Sequence, residues 1–481
     1  MLFNSYTFII FFAVMLALHY MPFSWTVKKI NLLLGSYLFY AAWNPPFVLL
    51  LWLCTLIDYV AGAALYRIEA PRKRKWLLAL SLAVNLGILG FFKYGGFLLQ
   101  NAVALGHALG IDFHPAAPSI ILPAGISFYT FTSLSYTIDM YKRKSAPVTS
   151  LLDFSLFVSF FPHLVAGPIV RPPQLAPQFA TPRKATGAQL KYGLLLFTIG
   201  LFLKVFLADA LLAPAANAVF AHPQGLRTLE AWTGMLAFTG QIYFDFAGYS
   251  TCAIGVALCL GFVLPENFSF PYAATGFTDF WRRWHITLSA WLRDYLYIPL
   301  GGNRSGMGAT CRNIMITMLL GGLWHGASWT FVAWGALHGI YLCAERLTVR
   351  RRPAATPSLP PGAATLSPAT VIKGLLVFIA VALAWVFFRA PGFDAAGQIL
   401  AALIGRPAEG AHAAALTTTD ISQVMIVIAA MLLLQWTARD RSIAGYIAQS
   451  PRWLLPIIWA TMAWLVILSA QNSQSFIYFR F

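Results

Sequence analysis

Charge is what this chain lacks most: of its 481 residues only 16 are acidic and 33 basic, so charged side chains make up 10% of it. That is too little polar surface to clothe a soluble globule of this length, which excludes that class. Cysteine is also scarce. Cys54, Cys252, Cys259, Cys311 and Cys343 are scattered without a CxxC pair or metal-ligand spacing, which argues against a disulfide framework and against a zinc or other metal site. No Lys or Arg precedes Lys28, so the N-terminus has no positive region of a secretory signal, and residues 6–22 read as a retained span. Repeats of solenoid period, a Gly-x-Ser-x-Gly elbow and a soluble domain are missing as well.

Apolar sequence dominates instead, with 59% hydrophobic residues and a mean hydropathy of +0.69. The expected fold is an all-α polytopic membrane protein with about 10–12 transmembrane helices plus re-entrant and interfacial helices. The net charge of +17 arises from short Lys/Arg clusters between apolar runs, as the positive-inside rule requires, and not from a nucleic-acid-binding surface. Lys28-Lys29, Arg67 with Arg72 to Lys75, Lys142 to Lys144, Arg183-Lys184, Arg282-Arg283 and Arg346 with Arg350 to Arg352 are placed inside. The cation-poor stretches 100–118, 213–230 and 406–420 are placed outside.

Threading between these markers gives crossings near 6–22, 30–43, 47–66, 76–97, 119–141, 188–212, 231–262, 370–389, 421–437 and 453–470, with both termini extracytoplasmic. Residues 151–168, flanked by inside cations, should dip in and return. The stretch between Arg312 and Arg346 is expected to be a broken hairpin, opened near Gly321-Gly322 and Gly326; one long tilted helix is the alternative. The chain thus divides into a transmembrane core over 1–352, a cytoplasmic Pro-rich linker over 353–370, C-terminal transmembrane helices over 371–470 and an extracytoplasmic aromatic motif over 471–481.

Chemistry concentrates between Phe280 and Gly339. His325, after Trp324 and before Gly326, lies in a run apolar enough to cross a bilayer, where a titratable ring is costly and needs a reason. Two readings stay open: a general base, since imidazole accepts protons near neutral pH, or a core histidine bonded to a carbonyl exposed by the helix break. His285 lies among Trp281, Trp284, Trp291, Arg282, Arg283 and Arg293, a pattern suited to lipid headgroups or to a phosphorylated cytoplasmic donor. His338 and His163 read first as structural. Asp245, an acid in an apolar span, needs a partner such as an arginine or histidine, or serves a proton pathway. Asp58 and Asp139 read as structural, and the terminal Ser475 to Phe481 as an interfacial anchor or a docking element with one phenol, Tyr478.

Taken together, Phe161-Pro162-His163, Ala166 to Ile169 with Arg171, Tyr243 to Tyr249, Pro265 to Phe268, Phe280 to His285, Leu323 to Gly326 and Phe476 to Phe481 resemble the motifs of the membrane-bound O-acyltransferases, in the branch that modifies secreted polysaccharides. That resemblance implies a ring of helices around a central funnel, with His325 catalytic and His285 assisting from across the tunnel. It also implies a separate extracytoplasmic esterase-like partner of the SGNH kind that completes transfer to an alginate-like or other exopolysaccharide.

The expected activity is O-acetyl transfer across the inner membrane, with acetyl-CoA as donor substrate and no bound cofactor. Arg282, Arg283, Arg293 and Trp324 would hold the donor, Tyr478 would accept the acyl group or dock the partner, and Asp245 and His338 would line or support the tunnel. A saccharide or lipid transporter gated by Asp245 and the broken segments is the alternative, though no inverted repeat supports it. A scaffold for a secretion complex, in which His325 is dispensable, is a third reading.

Overall fold

The computed structural model describes residues 1–112, 114–116, 120–348, 367–406, 415–439, 445, 451, 453–472, 474 and 476–477, and every regular element among them is helical. The chain is an all-α, multi-pass membrane protein. Six helices among the described residues are long and apolar enough to cross a bilayer, and shorter apolar helices such as Tyr6–Tyr20 and Leu454–Ser469 occupy further expected crossings. Expected and observed bounds agree closely for 47–66, now Pro46–Arg67, for 370–389, now Pro368–Arg389, and for 421–437, now Thr418–Ala438.

Two helices outrun their expected limits. The span expected at 76–97 runs over Pro71–Ala108, taking part of the stretch read as an outside loop, because Leu98, Leu99, Ala102, Ala104 and Leu105 favour helix and no proline interrupts them. The span expected at 188–212 runs over Gly187–Ala221. It passes Pro214 because that residue follows directly on a wide-wound stretch, Phe202–Leu212, with i to i+5 winding. Of the expected linker 353–370, all but 367–370 lies outside the described residues, and Ser367 caps the next helix by accepting from the Thr370 amide at 3.2 Å.

The chain forms two compact units, Met1–Phe197 with Ser250–Pro265, and Thr198–Tyr249 with Glu266–Phe481. The first is held by phenylalanine packing, with Phe11 edge-on to Phe161 at 5.1 Å and Phe8 edge-on to Phe39 at 6.0 Å. Its buried Asp58 accepts from Ser81 at 2.7 Å, Asn85 at 3.0 Å and Thr137 at 3.3 Å. Residues 151–168 form two short helices, Leu151–Ser159 and Phe161–Leu164, with His163 buried in the second. Gly125, at φ +73°, lies against this segment: a Cβ there would stand 2.7 Å from the Leu164 carbonyl oxygen.

The second unit is built on indoles. Trp385, on Pro368–Arg389, packs against Trp284 at 5.0 Å and Trp334 at 5.4 Å, and all three are fully buried. Helix Thr228–Cys259 contributes Tyr243 to the same core, and 89% of its most apolar window is buried, so it reads as a helix enclosed by protein. Truncating such an indole typically costs about 3–5 kcal/mol, so this stack is the frame that fixes the neighbouring side chains.

Candidate active site

His325 ends the first helix of a hairpin, Gly306–His325, whose second helix is Trp329–Thr348. The expected break is therefore present, but it falls at 326–328 alone. Gly321 and Gly322, expected to help open it, stay inside the helix, where glycine serves close approach: a Cβ on Gly322 would stand 3.1 Å from the Gly335 Cα across the hairpin. Gly326 is extended at φ −162°, and a Cβ there would overlap the ring of Phe331. Ser328 then starts the second helix, its hydroxyl accepting from the Thr330 amide at 3.3 Å.

The His325 ring is 3% exposed and lies among aromatic rings, edge-on to Trp324 at 4.9 Å, Trp334 at 5.0 Å and Phe388 at 5.3 Å. It faces protein, not the lipid-exposed side of a helix.

His285 sits between two short helices, Phe277–Arg283 and Ile286–Leu292, in left-handed backbone at φ 41°. Such a conformation is costly for a residue with a Cβ and persists only where its surroundings impose it. Asn267 imposes it here. Its carbonyl accepts from the Ile286 amide at 2.9 Å, and its Oδ1 accepts from the Thr287 amide at 3.3 Å and the Thr287 hydroxyl at 2.9 Å. A backbone amide only donates, so the atom facing it is the oxygen, and His285 Nδ1, 3.0 Å from the same Oδ1, must donate too. The proton of the neutral ring is thereby assigned to Nδ1 and the lone pair to Nε2.

Rings connect the two histidines. His285 lies 6.2 Å from Trp324, which lies 4.9 Å from His325. In the other direction Phe246 is edge-on to His285 at 4.5 Å and packs on Phe476, near the C-terminus, at 5.7 Å.

The expected donor-binding arginines separate into two kinds. Arg283 is committed to the fold, donating to Asp279 at 2.8 Å and to the Arg439 carbonyl at 2.9 Å. Arg293 is exposed but forks onto its neighbour Asp294 at 2.6 and 3.1 Å. Arg282 is exposed. His338 is fully buried among Trp334 at 4.8 Å, Trp281 at 5.1 Å and Phe280 at 5.9 Å. Tyr478 lies outside the described residues.

Asp245 is paired, but with Lys204 and not with an arginine or histidine as expected; Lys204 also donates to Asp209 at 2.9 Å. An Asp245 held in a buried ion pair offers no support for a gated proton pathway. Sequence reading missed three residues here. Lys204 and Asp209 sit in an apolar run without a motif, although an isolated Lys and Asp five apart in a membrane segment are themselves a signal. Asn267 was noticed only as part of a motif. Among the described residues, His107, Asp112 and His114 in the first unit form a cluster with metal-ligand chemistry; it is exposed and shares no residue with this site.

Residues 145–384 match the model of the membrane-bound O-acyltransferase family. The chain is 37% identical to the probable alginate O-acetylase AlgI of Azotobacter vinelandii over 517 aligned positions, covering 100% of each protein. It is 42% identical to the protein of the same name from Pseudomonas aeruginosa, over 84% of this chain and 75% of that one. Against the peptidoglycan O-acetyltransferase of Helicobacter pylori the identity is 38%, over 78% of this chain and 74% of the relative. The matched region includes the hairpin and His285, and this chain belongs to the membrane-bound O-acyltransferase family, as an acyltransferase.

Proposed function

We infer that the chain carries an acetyl group from cytoplasmic acetyl-CoA across the inner membrane for O-acetylation of a secreted polysaccharide. Alginate and peptidoglycan, named for two of the relatives, are both polysaccharides, which supports that class of final acceptor. The donor enters a central funnel from the cytoplasm with its phosphates toward Arg282, the exposed arginine least committed to a carboxylate, while Arg283 and Arg293 shape the entrance. Trp324 lines the path of the thioester.

His325 acts as general base. It takes the proton of an acceptor hydroxyl, the oxygen attacks the thioester carbonyl carbon, the C–S bond breaks, and the departing CoA thiolate receives the proton from the imidazolium. His285, with its Nε2 lone pair set by Asn267, assists from the other side of Trp324. The first acceptor is the phenol of Tyr478, which holds the acetyl group as an ester on the extracytoplasmic side. A separate esterase-like protein then collects it for the polymer.

The observation that carries this reading is the unbroken series of ring contacts from Phe476 through Phe246, His285 and Trp324 to His325, with Tyr478 two residues after Phe476 in the chain. Purified protein incubated with isotopically labelled acetyl-CoA should carry label on the C-terminal peptide, and Tyr478→Phe should abolish that label and polymer acetylation with the protein still folded. Full polymer acetylation by Tyr478→Phe would show that the terminus only docks a partner.

A further inference from the structure

The Lys204, Asp209 and Asp245 cluster has no part in the steps above, yet all three charged side chains are buried and paired within the second unit. Its assembly depends on two local features. The i to i+5 winding of Phe202–Leu212 brings Lys204 and Asp209 onto one side, where Nζ reaches Oδ1 at 2.9 Å. Gly248 then lets helix Thr228–Cys259 close in, since a Cβ there would stand 2.7 Å from the Gly200 carbonyl oxygen and 2.9 Å from the Lys204 amide nitrogen. Asp245, one turn back on that helix, thereby meets Lys204.

One ammonium between two carboxylates leaves acceptor capacity, and the C-terminal segment uses it. Asp209 Oδ2 accepts from the Gln474 amide at 3.0 Å, and Asp245 Oδ2 accepts from the Ile477 amide at 3.0 Å. Each acid thus bridges Lys204 to the backbone of the tail. Between the two anchor points Phe476 is buried against Phe246 at 5.7 Å and Tyr249 at 4.9 Å. Charge-assisted bonds to amides, and not to side chains, hold the path of the chain whatever its side chains are.

We propose that Lys204, Asp209 and Asp245 form a latch that fixes the C-terminal segment at Gln474 and Ile477, and that they are positioning residues for acyl transfer to the terminus. The second half rests on the reading of Tyr478 as acceptor; the latch itself does not. Because Phe246 contacts both Phe476 and His285, releasing the tail also removes a ring contact from the side chain that packs on His285.

The test uses the full chain and a neutral replacement, Lys204→Met with Asp209→Asn and Asp245→Asn, which leaves no orphaned charge. Asp209→Asn alone, which keeps the Lys204 and Asp245 pair, guards against a failure of the triple variant to fold. Carboxypeptidase trimming past Ile477, followed by intact mass, reads the tail, and label transfer from acetyl-CoA reads activity. Loss of charge-assisted bonds at two anchor points should speed trimming by more than about tenfold in the triple variant and by less in the single one. Activity should fall through kcat, with little change in KM for acetyl-CoA. Unchanged trimming in the folded variants overturns the latch, even if activity is lost. Fast trimming with full activity supports the latch and overturns its positioning role in acyl transfer.

Discussion

His325 and His338 both pack against Trp334, at 5.0 and 4.8 Å, and both are buried, yet they stand at different points of one hairpin. His338 lies mid-helix in Trp329–Thr348, boxed by Phe280, Trp281 and Trp334. His325 is the last residue before the break, where the chain turns through Gly326. Burial among indoles is therefore common to both and distinguishes neither. What separates them is backbone: His325 closes its helix beside the break, whereas His338 is held inside a continuous helix.

The sharpest way to press that difference is substitution at the helix end. His325→Ala should lower polymer acetylation by roughly 10²–10⁴-fold with the protein still inserted and folded, as loss of a general base does. Comparing ester content of secreted polymer from cells expressing each form checks it. Next in size is Asn267→Ala, which removes the acceptor that fixes the His285 proton on Nδ1 and supports its left-handed backbone. We expect a drop on the order of 10²-fold in kcat, with KM for acetyl-CoA little changed. A loss seen only in KM would place His285 in donor binding instead.

Smaller still is Arg282→Ala, which should raise KM for acetyl-CoA by about threefold, in keeping with an exposed charge contact, and leave kcat alone. Steady-state kinetics over a range of salt checks this, because screening should blunt the same contact. At the bottom of the scale stands His338→Phe. A near volume-conserving swap inside an aromatic box should cost less than about 1.5 kcal/mol of stability and keep activity within about twofold. A collapse of activity in folded His338→Phe would end the distinction between helix end and helix interior.

Much of this architecture was legible in the sequence, and the reasons are physical. Apolar length and basic clusters located the spans at Pro46–Arg67, Pro368–Arg389 and Thr418–Ala438 because bilayer thickness and cation retention are one-dimensional constraints. The break beside His325 was legible because basic residues flank the apolar stretch on both sides and Gly326 can open a helix. Gly321 and Gly322 were misread for the same reason: glycine marks both a break and a close approach, and only the position of Gly335 on the facing helix decides which. The wide winding at Phe202–Leu212 leaves no periodic trace, so the meeting of Lys204, Asp209 and Asp245 was hidden. Arg283 looked like a phosphate ligand beside Arg282, although Asp279 four residues earlier is a local partner; what the sequence hid is the bond to the distant Arg439 carbonyl.

The most direct measurement is the initial rate of acetyl transfer from labelled acetyl-CoA to the C-terminal peptide by purified His325→Ala, set beside the unaltered chain at matched folding. If His325 is the base, the rate falls by at least about 10²-fold. A rate equal to that of the unaltered chain would contradict it.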